Sequence, residues 1–127
     1  MKRATLFSLA LGLTLTASAK FSDRDAVRAI IGEGSNQSDA ALAGIASAIH
    51  NRGTLRGVYG LRNPVADTAS DALWARARRA WNLAKTGGDP ESIRGCKFFG
   101  CPTDAPWFHK HGFIAVTTIG QITFYRL

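Results

Sequence analysis

Chemistry-bearing side chains are scarce in this chain of 127 residues, which has two cysteines, three histidines and, as glutamates, only Glu33 and Glu91. Two thiols with only His109 and His111 nearby are a poor basis for a metal centre, and the two histidines, which flank Lys110, have no evident third ligand of their own. No glycine-rich loop of the phosphate-cradling type is present, and the order of residues justifies no Ser-His-Asp arrangement. The length excludes a multidomain enzyme, a Rossmann-sized cofactor protein and a polytopic membrane protein. Long apolar runs are absent too. The one candidate, residues 6–15, is short and interspersed with Thr, Gly and Ser, unlike a membrane span. Internal repeats, low-complexity tracts and linkers are also missing.

What remains is a globular composition, 46% hydrophobic and 20% charged, with 16 Lys and Arg against 9 Asp and Glu. The first nineteen residues read as a secretory signal peptide: Lys2 and Arg3, a short apolar stretch, then Ala17-Ser18-Ala19 as a small-x-small cleavage site. Cleavage there leaves Lys20 as the mature N-terminus and a protein with no stable membrane insertion. The formal net charge falls from +7 to +5, because Lys2 and Arg3 are lost and no acid is. Export places the chain in the periplasm or outside the cell. An oxidising compartment permits a Cys96–Cys101 disulfide, the favoured expectation over two buried free thiols.

The mature segment, 20–127, reads as one α+β domain of about three helices followed by a small antiparallel sheet. Ser22 with Asp25 resembles a capping box ahead of a helix over 23–33, followed by Gly34-Ser35-Asn36. Ser38 opens a second helix with Leu42, Ile45, Ala46 and Ile49 on one face. Its other positions are mostly Ala and Gly, which lets a neighbour approach closely. Arg52 and Gly53 close it. Asn63-Pro64 marks a loop. Ser70 opens a third helix with the stripe Trp74, Ala77, Trp81, Ala84, which reads as core, while Arg76, Arg78 and Arg79 read as a solvated face. Residues 113–119 and 122–125 flank Gly120-Gln121, a two-residue hairpin turn.

Of the two glutamates, Glu91 beside Asp89-Pro90 suits a helix start. Glu33 does not suit its place. It follows Ile30 and Ile31, sits between Gly32 and Gly34, and ends a helix, where a carboxylate opposes the dipole. An apolar setting raises a carboxyl pKa, as a general acid near neutral pH requires, and flanking glycines would admit a bulky substrate.

Ala29-Ile30-Ile31-Gly32-Glu33-Gly34, followed by Ala43-Gly44-Ile45-Ala46-Ser47-Ala48-Ile49-His50-Asn51-Arg52, resembles the opening of the spore-cortex-lytic type of cell-wall hydrolase family. Gly95-Cys96-Lys97-Phe98-Phe99, Pro106-Trp107, Thr118-Ile119-Gly120 and Phe124-Tyr125 follow in the family's order. Lys97 and Ile122 stand where members often carry histidine. The resemblance implies a compact lysozyme-like domain without cofactor or metal, acting as a monomer on peptidoglycan, with Glu33 as catalytic acid. It offers a one-carboxylate route, lytic transglycosylation between N-acetylmuramic acid and N-acetylglucosamine. Hydrolysis would call on one of Asp39, Asp67, Asp71, Asp89 and Asp104 as a second carboxylate. Sugar sites need aromatic platforms, and Phe99, Trp107 and Tyr125 from the strand-rich half are the candidates; Asn51 reads as a structural clamp. A non-catalytic, basic peptidoglycan-binding module is the alternative reading. Nucleic acid is not expected as a partner, because the positive charge is scattered and no recognition motif accompanies it.

Overall fold

The computed structural model describes residues 21–127, so the expected signal peptide and its cleavage point lie outside the described residues. Three serine hydroxyls start the three long helices. Ser22 accepts from the Asp25 N–H at 3.0 Å ahead of α1 (Asp23–Gly34). Ser38 accepts from Ala41 at 3.2 Å ahead of α2 (Asp39–Arg52), and Ser70 from Leu73 at 3.1 Å ahead of α3 (Asp71–Gly87). Each satisfies a donor that a helix leaves open in its first turn. α2 stops at Gly53, whose φ of 71° is the left-handed turn a glycine accepts readily.

The three helices bury one shared core: Val27, Ile30 and Ile31 from α1, Leu42, Ile45 and Ile49 from α2, Ala77, Trp81 and Ala84 from α3. Indole N–H groups at this interface find partners, Trp81 on Asp23 Oδ1 at 2.8 Å and half-buried Trp74 on the Ala66 carbonyl at 3.2 Å. The tryptophan stripe is therefore core. Arg76 departs from the solvated face expected of it, bonding Asp39 at 2.6 Å and the Gln37 carbonyl at 2.8 Å, whereas Arg78 and Arg79 are exposed.

The sheet is antiparallel throughout, with β3 (Ile122–Arg126) between β1 (Phe98–Gly100) and β2 (Ile114–Ile119). It docks on the helices through Phe124, which is fully buried against Gly44 of α2. A Cβ at Gly44 would lie 2.5 Å from Phe124 Cζ, so the close approach expected along the Ala/Gly side of α2 is made here. At the hairpin, the Gln121 N–H donates to Gln37 Oε1 at 3.1 Å, tying the turn to the α1–α2 connection.

The domain is α+β, but its helices do not all precede its strands. α4 (Ala105–Lys110) sits between β1 and β2, with Pro106 in its first turn. A proline there removes no helical hydrogen bond, so Pro106 fits the start of a helix. His109 consequently lies on α4 and His111 caps it.

Candidate active site

Glu33 occupies the last turn of α1, where no basic side chain offsets the helix dipole. Its Oε2 accepts the Gly60 N–H at 2.7 Å. Gly60 belongs to a 3-10 turn, Tyr59–Arg62, followed by a second, Pro64–Thr68, and this stretch is strapped onto α1. Arg28 donates to the Leu61 carbonyl at 3.1 Å and pairs with Asp67 at 2.8 Å; Asn63 Nδ2 donates to the Gly32 carbonyl at 3.0 Å. The contact is backbone on backbone. A Cβ on Gly32 would fall 1.9 Å from the Gly60 carbonyl oxygen, and one on Gly60 would fall 2.5 Å from the Ala29 oxygen.

The flanking glycines therefore serve another purpose than the one expected of them. Gly32 makes room for the Gly60 turn. Gly34 makes room for Ile45 and Leu42, which a Cβ would approach to 2.9 and 3.0 Å. The space beside the carboxylate is shaped by the protein's own chain, and Asn63-Pro64 is part of an anchored strap.

Burial pushes the Glu33 carboxyl above the ordinary carboxylate range; the Gly60 N–H pulls it back, the Asp104 charge pushes it up again and Arg52 lowers it. Arg52, at the end of α2, is half-buried, and its Nη2 donates to the Arg56 carbonyl. Its guanidinium stands 5.4 Å from the ring centroid of Phe98. One carboxyl thus holds a backbone donor and feels the charges of a cation and of a second carboxylate.

Asp104 is held by the turn that follows β1. Its Oδ2 accepts the Cys101 N–H at 3.0 Å and the Cys101 thiol at 3.2 Å, and its side chain lies against Gly100. The Asp104 charge also raises the Tyr125 hydroxyl, after burial and ahead of the opposing hydrogen bond from Thr123. Of the five aspartates weighed as second carboxylates, Asp104 alone acts on Glu33. Asp39 and Asp67 are engaged by Arg76 and Arg28, and Asp89 accepts from Asn51 at 2.8 Å and from the Gly95 N–H at 2.6 Å. Asp71 stands in the first turn of α3.

The three aromatic candidates part company. Phe99 turns to the helical core and meets Phe124, its cross-strand partner, with centroids 6.4 Å apart. Tyr125 is 1% exposed and lies flat on Phe108 at 3.9 Å, so its ring is core and offers no sugar-stacking face. Trp107 is 54% exposed, stacked at 4.2 Å on His111 and close to Phe113 and Phe108. Phe98 was not anticipated. It shares a sheet face with Tyr125, meets Phe113 at 4.8 Å and lies beneath Arg52. Rings thus run from Arg52 through Phe98 and Phe113 to Trp107.

Cys96 and Cys101 are not cross-linked. Cys96 is buried in the core before β1, with burial raising its thiol pKa. Cys101 lies past the other end of that strand, exposed and bonded to Asp104. The intervening strand carries the two thiols apart. Asn51 is the clamp expected of it, donating to Asp89 and to the Cys96 carbonyl at 3.0 Å. Among the described residues no group of three metal-ligating side chains converges, and no helix is long and apolar enough to cross a membrane. A depression of about 220 Å³ between α2 and the end of α3 borders Asp89, whose carboxylate is already occupied.

Comparison of the chain with protein-family models, curated proteins and solved structures finds no match.

Proposed function

We propose that the protein is an exported enzyme that cleaves peptidoglycan glycan strands between N-acetylmuramic acid and N-acetylglucosamine, acting as a lytic transglycosylase with Glu33 as its single catalytic carboxyl. The observation that carries the reading is the Glu33 carboxyl itself, half-buried at a helix end and held by the Gly60 N–H, with its pKa raised. A carboxyl shifted in that direction stays protonated closer to neutral pH and can serve as general acid.

In the reaction, the Glu33 carboxylic acid gives its proton to the glycosidic oxygen as the muramyl C1–O bond breaks. The carboxylate then takes the proton of the muramyl 6-hydroxyl while O6 bonds to C1. A 1,6-anhydro end forms, no water is consumed, and Glu33 returns to its acid form. The Gly60 N–H stabilises the carboxylate between these steps, and Arg52 favours the same charged state. Asp104 opposes it and favours the proton-bearing start. Engagement of Asp39, Asp67 and Asp89 by their own partners supports a route with one reacting carboxyl.

The test is mass spectrometry of muropeptides after incubation with purified protein. Anhydro ends are expected. Reducing ends would replace transglycosylation with hydrolysis, and sedimentation with the wall without soluble fragments would replace the enzyme with a binding module.

A further inference from the structure

Tyr59 is the most exposed large apolar side chain of the described residues, at 80%. Single exposed aromatics are ordinary on protein surfaces, so exposure alone assigns nothing. Position does. Tyr59 immediately precedes Gly60, whose N–H lies 2.7 Å from Glu33 Oε2. Following the covalent path back through the peptide bond puts the Tyr59 Cβ no more than about 7 Å from that oxygen. The ring is therefore rooted beside the acid.

Its backbone is fixed. Val58 and Gly60, on either side, are buried. The Val58 N–H donates to the Leu55 carbonyl at 2.9 Å, and Asn63 N–H to the Gly60 carbonyl at 3.1 Å. Arg28 and Asn63 bind the same turn to α1 through side chains. A tyrosine has two side-chain torsions, so a ring on an immobilised backbone loses little freedom when a ligand covers it. The ring packs in none of the aromatic pairs of the core or of the Trp107 cluster.

We propose that Tyr59 is a carbohydrate-stacking residue, the platform for the sugar of the glycan strand that lies beside Glu33. The inference rests on the reading of Glu33 as the acid acting on glycan. Trp107 then serves the strand at the far end of the aromatic path from Arg52, and Tyr59 serves it at the acid itself.

The test measures binding apart from turnover. Soluble, peptide-free peptidoglycan glycan strands are titrated calorimetrically into Glu33→Gln protein carrying Tyr59, Tyr59→Ala or Tyr59→Trp. Removing the ring is expected to weaken binding about tenfold, the scale of one well-placed aromatic contact, and Trp is expected to restore it. In the protein with Glu33 intact, Tyr59→Ala should raise KM and leave the pH at which activity falls unchanged. Circular dichroism and thermal melting should coincide among the Tyr59 variants that share the same residue at position 33, since the Tyr59 side chain is outside the core. Unchanged binding by Tyr59→Ala overturns the platform, as does equal weakening by Ala and Trp. Continued cleavage by Glu33→Gln overturns the acid instead, so the two failures are distinguishable.

Discussion

Glu33 and Gly60 are fitted to each other: the carboxylate oxygen sits 2.7 Å from the Gly60 nitrogen, and Gly60 has no room for a side chain because Glu33 and the Ala29 carbonyl fill it. A Cβ at position 60 would stand 2.6 Å from Glu33 Cγ and 2.7 Å from the Glu33 nitrogen. Backbone conformation is not the constraint, since Gly60 is not among the glycines with positive φ. Gly60→Ala must therefore displace the turn. The expected cost is about 1–3 kcal/mol, as for other over-packed interiors, with loss of most glycan cleavage. Urea denaturation and fragment release measure the two effects.

Glu33→Gln should keep the Gly60 hydrogen bond and lower glycan cleavage by about 10²–10⁴-fold or more, because one residue serves as both acid and base. Stability should move the other way. With the folded pKa above the ordinary carboxyl value, folded protein holds more protons than unfolded across the interval between the two, and stability falls as pH rises through it. The Gln variant escapes that loss. It should melt higher than the parent at neutral pH and together with it in acid. Glu91→Gln, at an exposed 3-10 turn, should alter stability by about a few tenths of a kcal/mol at most and leave cleavage unchanged.

Asp104 and Arg52 should move the alkaline limb of the pH–rate profile in opposite directions. A general acid loses activity as pH rises through its pKa. Asp104→Asn removes a charge that raises the Glu33 pKa, so the limb should shift to lower pH. Arg52→Gln removes a charge that lowers it, so the limb should shift to higher pH. kcat/KM against pH, with unfolding followed in parallel, checks both signs.

The thiols should differ sharply. Cys101 should alkylate in the native protein, while buried Cys96, its pKa raised by burial, should react only on unfolding. Peptide mapping without reductant reads this directly, and a cross-linked fragment would contradict the placement of the two residues on either side of β1.

Asn51→Ala takes the side-chain donor from the Cys96 carbonyl and leaves Asp89 Oδ2 with the Gly95 N–H alone. About 1–3 kcal/mol of stability should be lost, the usual cost of a half-buried polar group deprived of its partner, and chemical denaturation gives the value.

The three long helices were legible because their signals are local: a serine at each start, apolar spacing along one face, and glycine past the end of α2. The Gln121 hairpin was legible for the same reason. What the sequence concealed depends on pairing at a distance. Gly60 carries no motif, and only the docked strap reveals that Gly32 and Gly60 are small on each other's account. Phe98 and Phe99 look alike in sequence, and a strand of three residues is too short for alternation to assign their faces. Tyr125 reads as a platform until α4 covers it with Phe108. Asp104 had no signature beyond lying three residues after Cys101, the spacing at which its carboxylate reaches back to that backbone nitrogen. Glu33 stood out because its helix position is electrostatically wrong for a structural glutamate.

The central strand of the sheet is the last one in the sequence. β1 and β2 each pair only with β3, so neither has a ladder until residues 122–126 arrive. The helical layer, with Glu33 seated against Gly60, draws on residues 23–87 and can assemble first, whereas the wall bearing Phe98, Tyr125 and Asp104 closes only when its final segment slides between two waiting edges. A chain emerging N-terminus first would thus seat Glu33 against Gly60 before the strands bearing Phe98 and Tyr125 can pair.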